Sequence, residues 1–288
     1  MNRKRRLATW LGTLLGTLSA FLLAAAQSNA ADYRGRLTEE FHQTYSLSAD
    51  GRVALDNING AVHIAVWDRN EVKVDAIKSA NRQERLDEAK IRVEPGRDSI
   101  RIWTEYPHRS QTFTNDAWDN PASVEYTLTV PRKANLDEIK LVNGALDIQG
   151  AAGEVTASCI NGRLRAQGLA GRVKLSTING TLEATFDRMT QSPVELSSIN
   201  GSVDLTLPSN AKAGIEASTV HGGIANDFGL HVNNHRWVGH DLRGELGGGG
   251  ARIRLNNVNG RIEIHHANDG QALSPARNLS DEDDENEI

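Results

Sequence analysis

The chain has one cysteine in 288 residues, Cys159, so no internal disulfide holds it together. It also lacks an excess of positive charge. Its 32 Lys and Arg stand against 37 Asp and Glu, a formal charge of −5, which leaves no basic field to bind nucleic acid by counterion release. Helical periodicity is missing from residues 136–265. So are the common signatures of catalysis: there is no G-x-S-x-G, H-E-x-x-H, C-x-x-C, phosphate-loop or dinucleotide fingerprint. The glycines at 247–250 lack the Lys-Ser/Thr of a phosphate loop and read as a flexible run. Such a chain must be held by its apolar core, and no motif in it calls for a cofactor.

One apolar run stands out. Arg3-Lys4-Arg5-Arg6 precedes a mostly apolar stretch over 7–26, and Ser28-Asn29-Ala30 follows. A basic head, an apolar middle and small residues at −3 and −1 predict a secretory signal peptide over 1–30, cleaved before Ala31. The rival, an uncleaved anchor, is weakened by Gly12, Gly16 and several Thr in the run. The expected chain is exported: periplasmic, cell-surface or secreted. The leader carries four basic residues and no acid, so its loss takes the formal charge from −5 to −9. Six of the acids lie in 281–287, and 266–288 reads as a disordered acidic tail.

Repetition organises the rest. Ile-Asn-Gly occurs at Asn59-Gly60, Asn161-Gly162, Asn179-Gly180 and Asn200-Gly201, Val-Asn-Gly at Asn143-Gly144 and Asn259-Gly260, and Val-His-Gly at His221-Gly222. From Asn143 onward the steps are 18, 18, 21, 21 and 38 residues, the last close to two repeats. Apolar residues alternate on both sides of each copy, as Val194 and Leu196 before Asn200 and Val203 and Leu205 after it, which predicts strands.

Two all-β architectures use such a repeat. Asn-Gly is a strong two-residue hairpin signal, so an antiparallel hairpin array would set Leu175 opposite Ala184. In a parallel β-solenoid each repeat is instead one coil, and equivalent residues stack about 4.8 Å apart. The Ile or Val before every Asn favours the solenoid, on the expectation that Ile178 turns inward with Gly180, Leu182 and Ala184 after a corner at Ser176-Thr177. A second glycine-rich corner recurs at 150–153 and 168–171. Residues 31–135 read as a β-rich variant of the plan, with a short helix over 84–91 and a long loop over 107–121. Residues 136–265 read as the repeat solenoid, interrupted by an insertion or lid at 226–250.

The run Asn59-Gly60-Ala61-Val62-His63-Ile64, then Trp67-Asp68, Val72-Lys73-Val74, the strand Tyr126-Thr127-Leu128-Thr129-Val130-Pro131 and the x-N-G-x-[Val/Leu/Ile] ladder resemble the bacterial exported putative-adhesin repeat family. The resemblance covers roughly 40–265. It implies a solenoid-like β fold at the cell envelope, and some relatives are linked to envelope-stress responses. The family has no catalytic motif to carry over.

Candidate chemistry is sparse. His221, His231, His235, His240, His265 and His266 are numerous enough to consider metal, but read as loop and repeat residues. Asp68, Asp75, Asp116, Asp119 and Asp147 could pair as a sugar-cleaving site needs, yet their spacing carries no signature. Trp67, Trp103, Trp118 and Trp237 offer faces for sugar rings, Trp118 and Trp237 foremost because they fall in loop-like segments. Cys159 reads as a small buried residue. The Asn-Gly corners read as scaffold. The favoured function is a non-enzymatic exported envelope protein presenting a surface to a glycan, another envelope protein or another copy of itself. The alternatives are a periplasmic envelope-stress sensor and a carbohydrate-active β-helix enzyme.

Overall fold

The computed structural model describes residues 36–107, 121–235 and 239–279. The expected leader over 1–30, Trp118, Trp237 and the acids of 281–287 lie outside these residues. The chain is all-β apart from one short helix. Its first part runs β1 (Leu37–Ser46), β2 (Arg52–Asn59), β3 (Val62–Trp67), β4 (Glu71–Ala80), α1 (Gln83–Glu88), β5 (Lys90–Pro95), β6 (Ser99–Glu105) and β7 (Ser123–Pro131). Then come paired strands around each Asn-Gly: β8 (Asn135–Asn143) and β9 (Leu146–Gln149), β10 (Val155–Asn161) and β11 (Leu164–Leu169), β12 (Val173–Asn179) and β13 (Leu182–Phe186), β14 (Val194–Asn200) and β15 (Val203–Leu207), β16 (Ala213–His221) and β17 (Ile224–Asn226). The last elements are β18 (Asn233–Asn234), β19 (His240–Leu246), β20 (Ala251–Asn259), β21 (Ile262–His266) and β22 (Ala276–Asn278).

The two strands flanking an Asn-Gly do not pair with each other, which rules out the hairpin array. The strand before it joins a twelve-stranded sheet and the strand after it a ten-stranded sheet. Within each sheet the repeats pair in parallel and in register, Asn161 beside Asn179 and Asn179 beside Asn200. Inward residues of both sheets, such as Val173 and Leu175 from one and Leu182, Ala184 and Phe186 from the other, merge into one buried core. Each fully buried aliphatic side chain there contributes about 1.5–3 kcal/mol.

The corner depends on glycine. Gly180 has φ +143°, and a Cβ placed on it would lie 1.9 Å from the carbonyl oxygen of Gly162 in the next repeat. Gly162, Gly201, Gly222 and Gly260 make the same approach to their neighbours. Backbone bonds knit the corner across repeats, with Gly180 N–H donating to Asn200 O at 2.9 Å and Gly162 N–H to Asn179 O at 2.9 Å. The bend therefore falls at glycine, and alternation runs unbroken up to it. Val173, Leu175 and Thr177 point in, whereas Lys174, Ser176 and Ile178 point out. The expectation that Ile178 turns inward after a corner at Ser176-Thr177 is wrong. The inward position nearest the bend instead holds mostly small groups: Cys159, Thr177, Ser198 and Thr219 are all buried there. Leu141 is buried at the same position, so the bend at glycine, not size alone, decides that Ile178 faces out.

The repeats also do not stack in chain order. β20 pairs with β14 on one side and β16 on the other, so the last repeat lies between two earlier ones. The run 226–250 explains this, and it is not a lid. It supplies β19, which lies antiparallel on the far edge of β16. To return on the near side, the chain must cross the start of β16, and Gly247–Gly250, all with positive φ, make that crossing. A Cβ on Gly250 would sit 2.4 Å from the Lys212 carbonyl, so these glycines permit close approach.

Both ends carry antiparallel strands. At one end β1 and β4 run antiparallel, and α1 packs Leu86 under them. The helix is shorter than expected because Ala89 is already extended and the chain enters β5 at Lys90. At the other end β19 is joined by β18 and β22, over buried Phe228 and Leu230. The part of the expected tail before 280 is therefore ordered. Ser274 N–H donates to the Ser209 carbonyl at 2.9 Å, and Ala276–Asn278 pairs with β19, because that edge would otherwise be open.

Gly180→Ala is expected to lower stability by about 2–4 kcal/mol, since the new methyl meets a carbonyl that cannot retreat and the φ disfavours an L residue. Gly214→Ala, whose Cβ would meet nothing within 4 Å, is expected to change it by less than about 1 kcal/mol. Urea denaturation of the two variants checks this, and equal effects would contradict it.

Candidate functional site

Because the bend is at glycine, every repeat ends its first strand with an outward aliphatic residue. Register places these side by side in the order Ile58, Val142, Ile160, Ile178, Ile199, Val258, Val220. Rungs about 4.8 Å apart make this a stripe about 30 Å long. Eight large apolar side chains are exposed among the described residues, and six of them belong to the stripe, at 39–45% exposure. A burial accident would scatter such residues; a file of them marks a surface with a use.

The flanks of the stripe are uncharged along most of its length. On one side runs the Asn ladder. Asn161 Nδ2 donates to Asn143 Oδ1 at 2.9 Å, Asn179 Nδ2 to Asn161 Oδ1 at 2.8 Å, and Asn200 Nδ2 to Asn179 Oδ1 at 3.0 Å. The ladder extends to Asn59 and Asn259, and all five bonds point the same way. These amides are exposed, not buried, so their stack carries less energy than an interior one. On the other side lie Ser158, Ser176, Ser197 and Asn256. Between serines and aliphatics runs a groove of ≈ 420 Å³. It meets a second of ≈ 600 Å³, which shares Ser158 and Ile160 and ends at Trp103, Arg101 and Lys140.

Beneath the stripe, Thr177 Oγ1, Ser198 Oγ and Asn257 Oδ1 are buried on three adjacent strands without a hydrogen-bond partner. Asn257 does spend its amide group on the Gly201 carbonyl at 2.8 Å, as Asn57 does on the Val124 carbonyl.

The other candidates fall elsewhere. Asp68 pairs with Arg132 and Asp147 with His63 and Arg163, while Asp75 pairs with His42 and Lys73. Asp75 and Asp147 stand three strands apart in the ten-stranded sheet, so the structure does not bring them together. Asp116 and Asp119 lie outside the described residues. A row that sequence reading missed lies four residues after each Asn: Glu183, Asp204 and Glu263 adjoin on β13, β15 and β21. The recurring "+4" position was its visible signal. Burial pushes the Asp204 carboxyl up, and Glu263 and Glu183 add to this against Ser202 and Arg261. Neither of the two grooves reaches this row, which sits on a sheet face.

The histidines disperse. His235 pairs with Asp241, His265 with Asp227 at 3.0 Å, and His266 with Ser209 at 3.1 Å. His221 occupies the Asn slot beside Asn259. No group of three or more His, Cys, Asp or Glu suited to a metal occurs among the described residues. Cys159 is buried, donates to the Gly144 carbonyl, and has its thiol pKa pushed up by burial, which opposes a nucleophilic role. Trp67 donates to the Glu71 carbonyl at a corner of the ten-stranded sheet, so of the described tryptophans only Trp103 lines the grooves.

Comparisons with known proteins add names but little more. No family model matches the chain, and no curated protein does. A "putative cell adhesion protein" from Clostridium sporogenes is similar over 79% of this chain and 100% of its own, at 14% identity and a TM-score of 0.43. A "putative adhesin" from Bacteroides fragilis covers 79% and 97% at 12% identity and a TM-score of 0.30. A "putative lipid binding protein" from Parabacteroides distasonis covers 79% and 94% at 10% identity and a TM-score of 0.25. At such TM-scores the likeness carries nothing about ligand or activity.

Asn179→Asp tests the ladder. At neutral pH it keeps the acceptor for Asn200 but faces Asn161 Oδ1 with a carboxylate oxygen, so a loss of about 1 kcal/mol is expected. Thermal denaturation at pH 7 reads it out, and no change would show that the amides stack without contributing.

Proposed function

We propose that the protein is a non-enzymatic, exported envelope component, built as a β-solenoid whose outer corner presents a binding or assembly surface. In this reading one strand pair with its Asn-Gly bend is one coil, and the antiparallel strands at the ends keep the stack from growing. The single observation that carries the proposal is the stripe of Ile and Val along the corner. A protein selected only for solubility would place polar side chains there at no cost to the core, since these positions face water. The basic-apolar-small pattern of residues 1–30 supports export. The neutral flanks support a surface that meets something elongated and uncharged along its contact line, whether glycan, protein or another copy.

The enzyme alternative would rest on the Glu183, Asp204 and Glu263 row. It lies on the flat outer face of the ten-stranded sheet, away from both grooves, so substrate would stay in water. The envelope-stress alternative rests on resemblance alone.

Two measurements test the proposal. N-terminal sequencing of the chain recovered from the cell envelope or medium is expected to begin at Ala31. Retention on the isolated envelope fraction is expected to fall at least about tenfold in Ile178→Lys/Ile199→Lys with an unchanged melting temperature, because each lysine desolvates only at a cost. Retention indifferent to both lysines would place the binding elsewhere on the molecule.

A further inference from the structure

We infer that the stripe's partner is a second copy of this chain, packed face to face and antiparallel about a two-fold axis between β14 and β20; this rests on the binding-surface reading above. The charges two rows away from the stripe carry the inference. Along successive strands they read Lys174, Glu195, Arg254, Glu216, alternating in sign. All four are about half exposed, and within the chain each makes one ion pair, Lys174 with Glu195 at 3.2 Å and Arg254 with Glu216 at 3.1 Å.

A two-fold axis between β14 and β20 reverses the stack of the second copy. Glu195 then faces the other copy's Arg254, and Lys174 faces its Glu216, each twice by symmetry. In the same register Ile199 meets Val258 and Ile178 meets Val220, while Ser176 meets Ser218. A shift that puts the axis on β14 sets Lys174 against Arg254 and Glu195 against itself. The alternation thus penalises a one-strand slip, and like charges across a contact are the usual device against a wrong register. The rung spacing is the second argument. A second copy has the same repeat, so in this register the four rungs Ile178, Ile199, Val258 and Val220 each meet a rung of the other copy without mismatch in spacing.

Six strands at about 4.8 Å and five residues at about 3.3 Å, with their side chains, give a face on the order of 500 Å² per copy. A standard stable interface needs about 800 Å² per partner. The face lies at the small, transient end of interface sizes, so the dimer is reversible, and local concentration at an envelope would favour it.

Sedimentation velocity on the chain purified as the cell processes it, from about 1 to about 300 µM, tests this. A concentration-dependent dimer is expected, lost in Ile178→Lys/Ile199→Lys. Lys174→Glu is expected to weaken it at least tenfold, and Lys174→Glu/Glu216→Lys to restore it to within about threefold. These two residues are not partners within one chain, so rescue reports the contact between copies. A chain monomeric at 300 µM, or a dimer untouched by the lysines, overturns the inference, as does a charge swap that fails to rescue. If the chain is monomeric and the stripe lysines still abolish envelope retention, self-pairing falls and the binding-surface reading stands. If neither association nor retention responds, both fall.

Discussion

The structure hangs on the approach of one glycine to the carbonyl of the next. Where Gly180 rests against Gly162, and Gly201 against Gly180, no side chain can intervene. That contact places the bend at a fixed residue in every repeat. Everything on either side then follows by alternation. The residue before the bend is Asn, turned outward into a ladder of amides. The residue before that faces water whatever its chemistry. The corner is thus a geometric constraint first, and the apolar stripe is what this chain has written onto the position that the constraint exposes.

The same constraint explains why the ends need attention. A stack of parallel strands bonded from repeat to repeat has two open edges, each able to recruit another chain. Here β4 and β1 finish the ten-stranded sheet and β5 the twelve-stranded sheet at the first end; at the second, β19 with β18 and β22 finishes the twelve-stranded sheet and the three-residue β17 the ten-stranded one. Closing the second edge with an antiparallel strand forced the chain back over Ala211 and Lys212, and the final repeat slid in beneath. The charged row that results, Lys174, Glu195, Arg254, Glu216, exists only because β20 lies between β14 and β16. In chain order Glu216 would adjoin Glu195, and the alternation would be lost.

Much of this was legible in the residues. The period, the strands, the short helix near residue 86 and the burial of Cys159 all follow from spacing and alternation. What was not legible depends on non-local geometry. Ile178 was expected inside because an Ile or Val precedes every Asn and a corner was placed at Ser176-Thr177, but the bend falls at Gly180 and unbroken alternation sets Ile178 on the outer face. The 38-residue step between His221 and Asn259 hid a change of stacking order, since a strand pair and its crossover occupy two repeats' worth of chain. The Glu183, Asp204 and Glu263 row was visible as a position but carried no chemistry until the sheet aligned it.

The central claim is that the bend falls at glycine and turns the preceding aliphatic residue outward. Thiol labelling tests it most directly, with single cysteines at Ile178→Cys and Thr177→Cys in a Cys159→Ser background. The account predicts that position 178 reacts at the rate of an exposed thiol and position 177 at least about tenfold more slowly, limited by local opening. Protection at 178 with reactivity at 177 would contradict it, and the stripe would cease to exist as a surface.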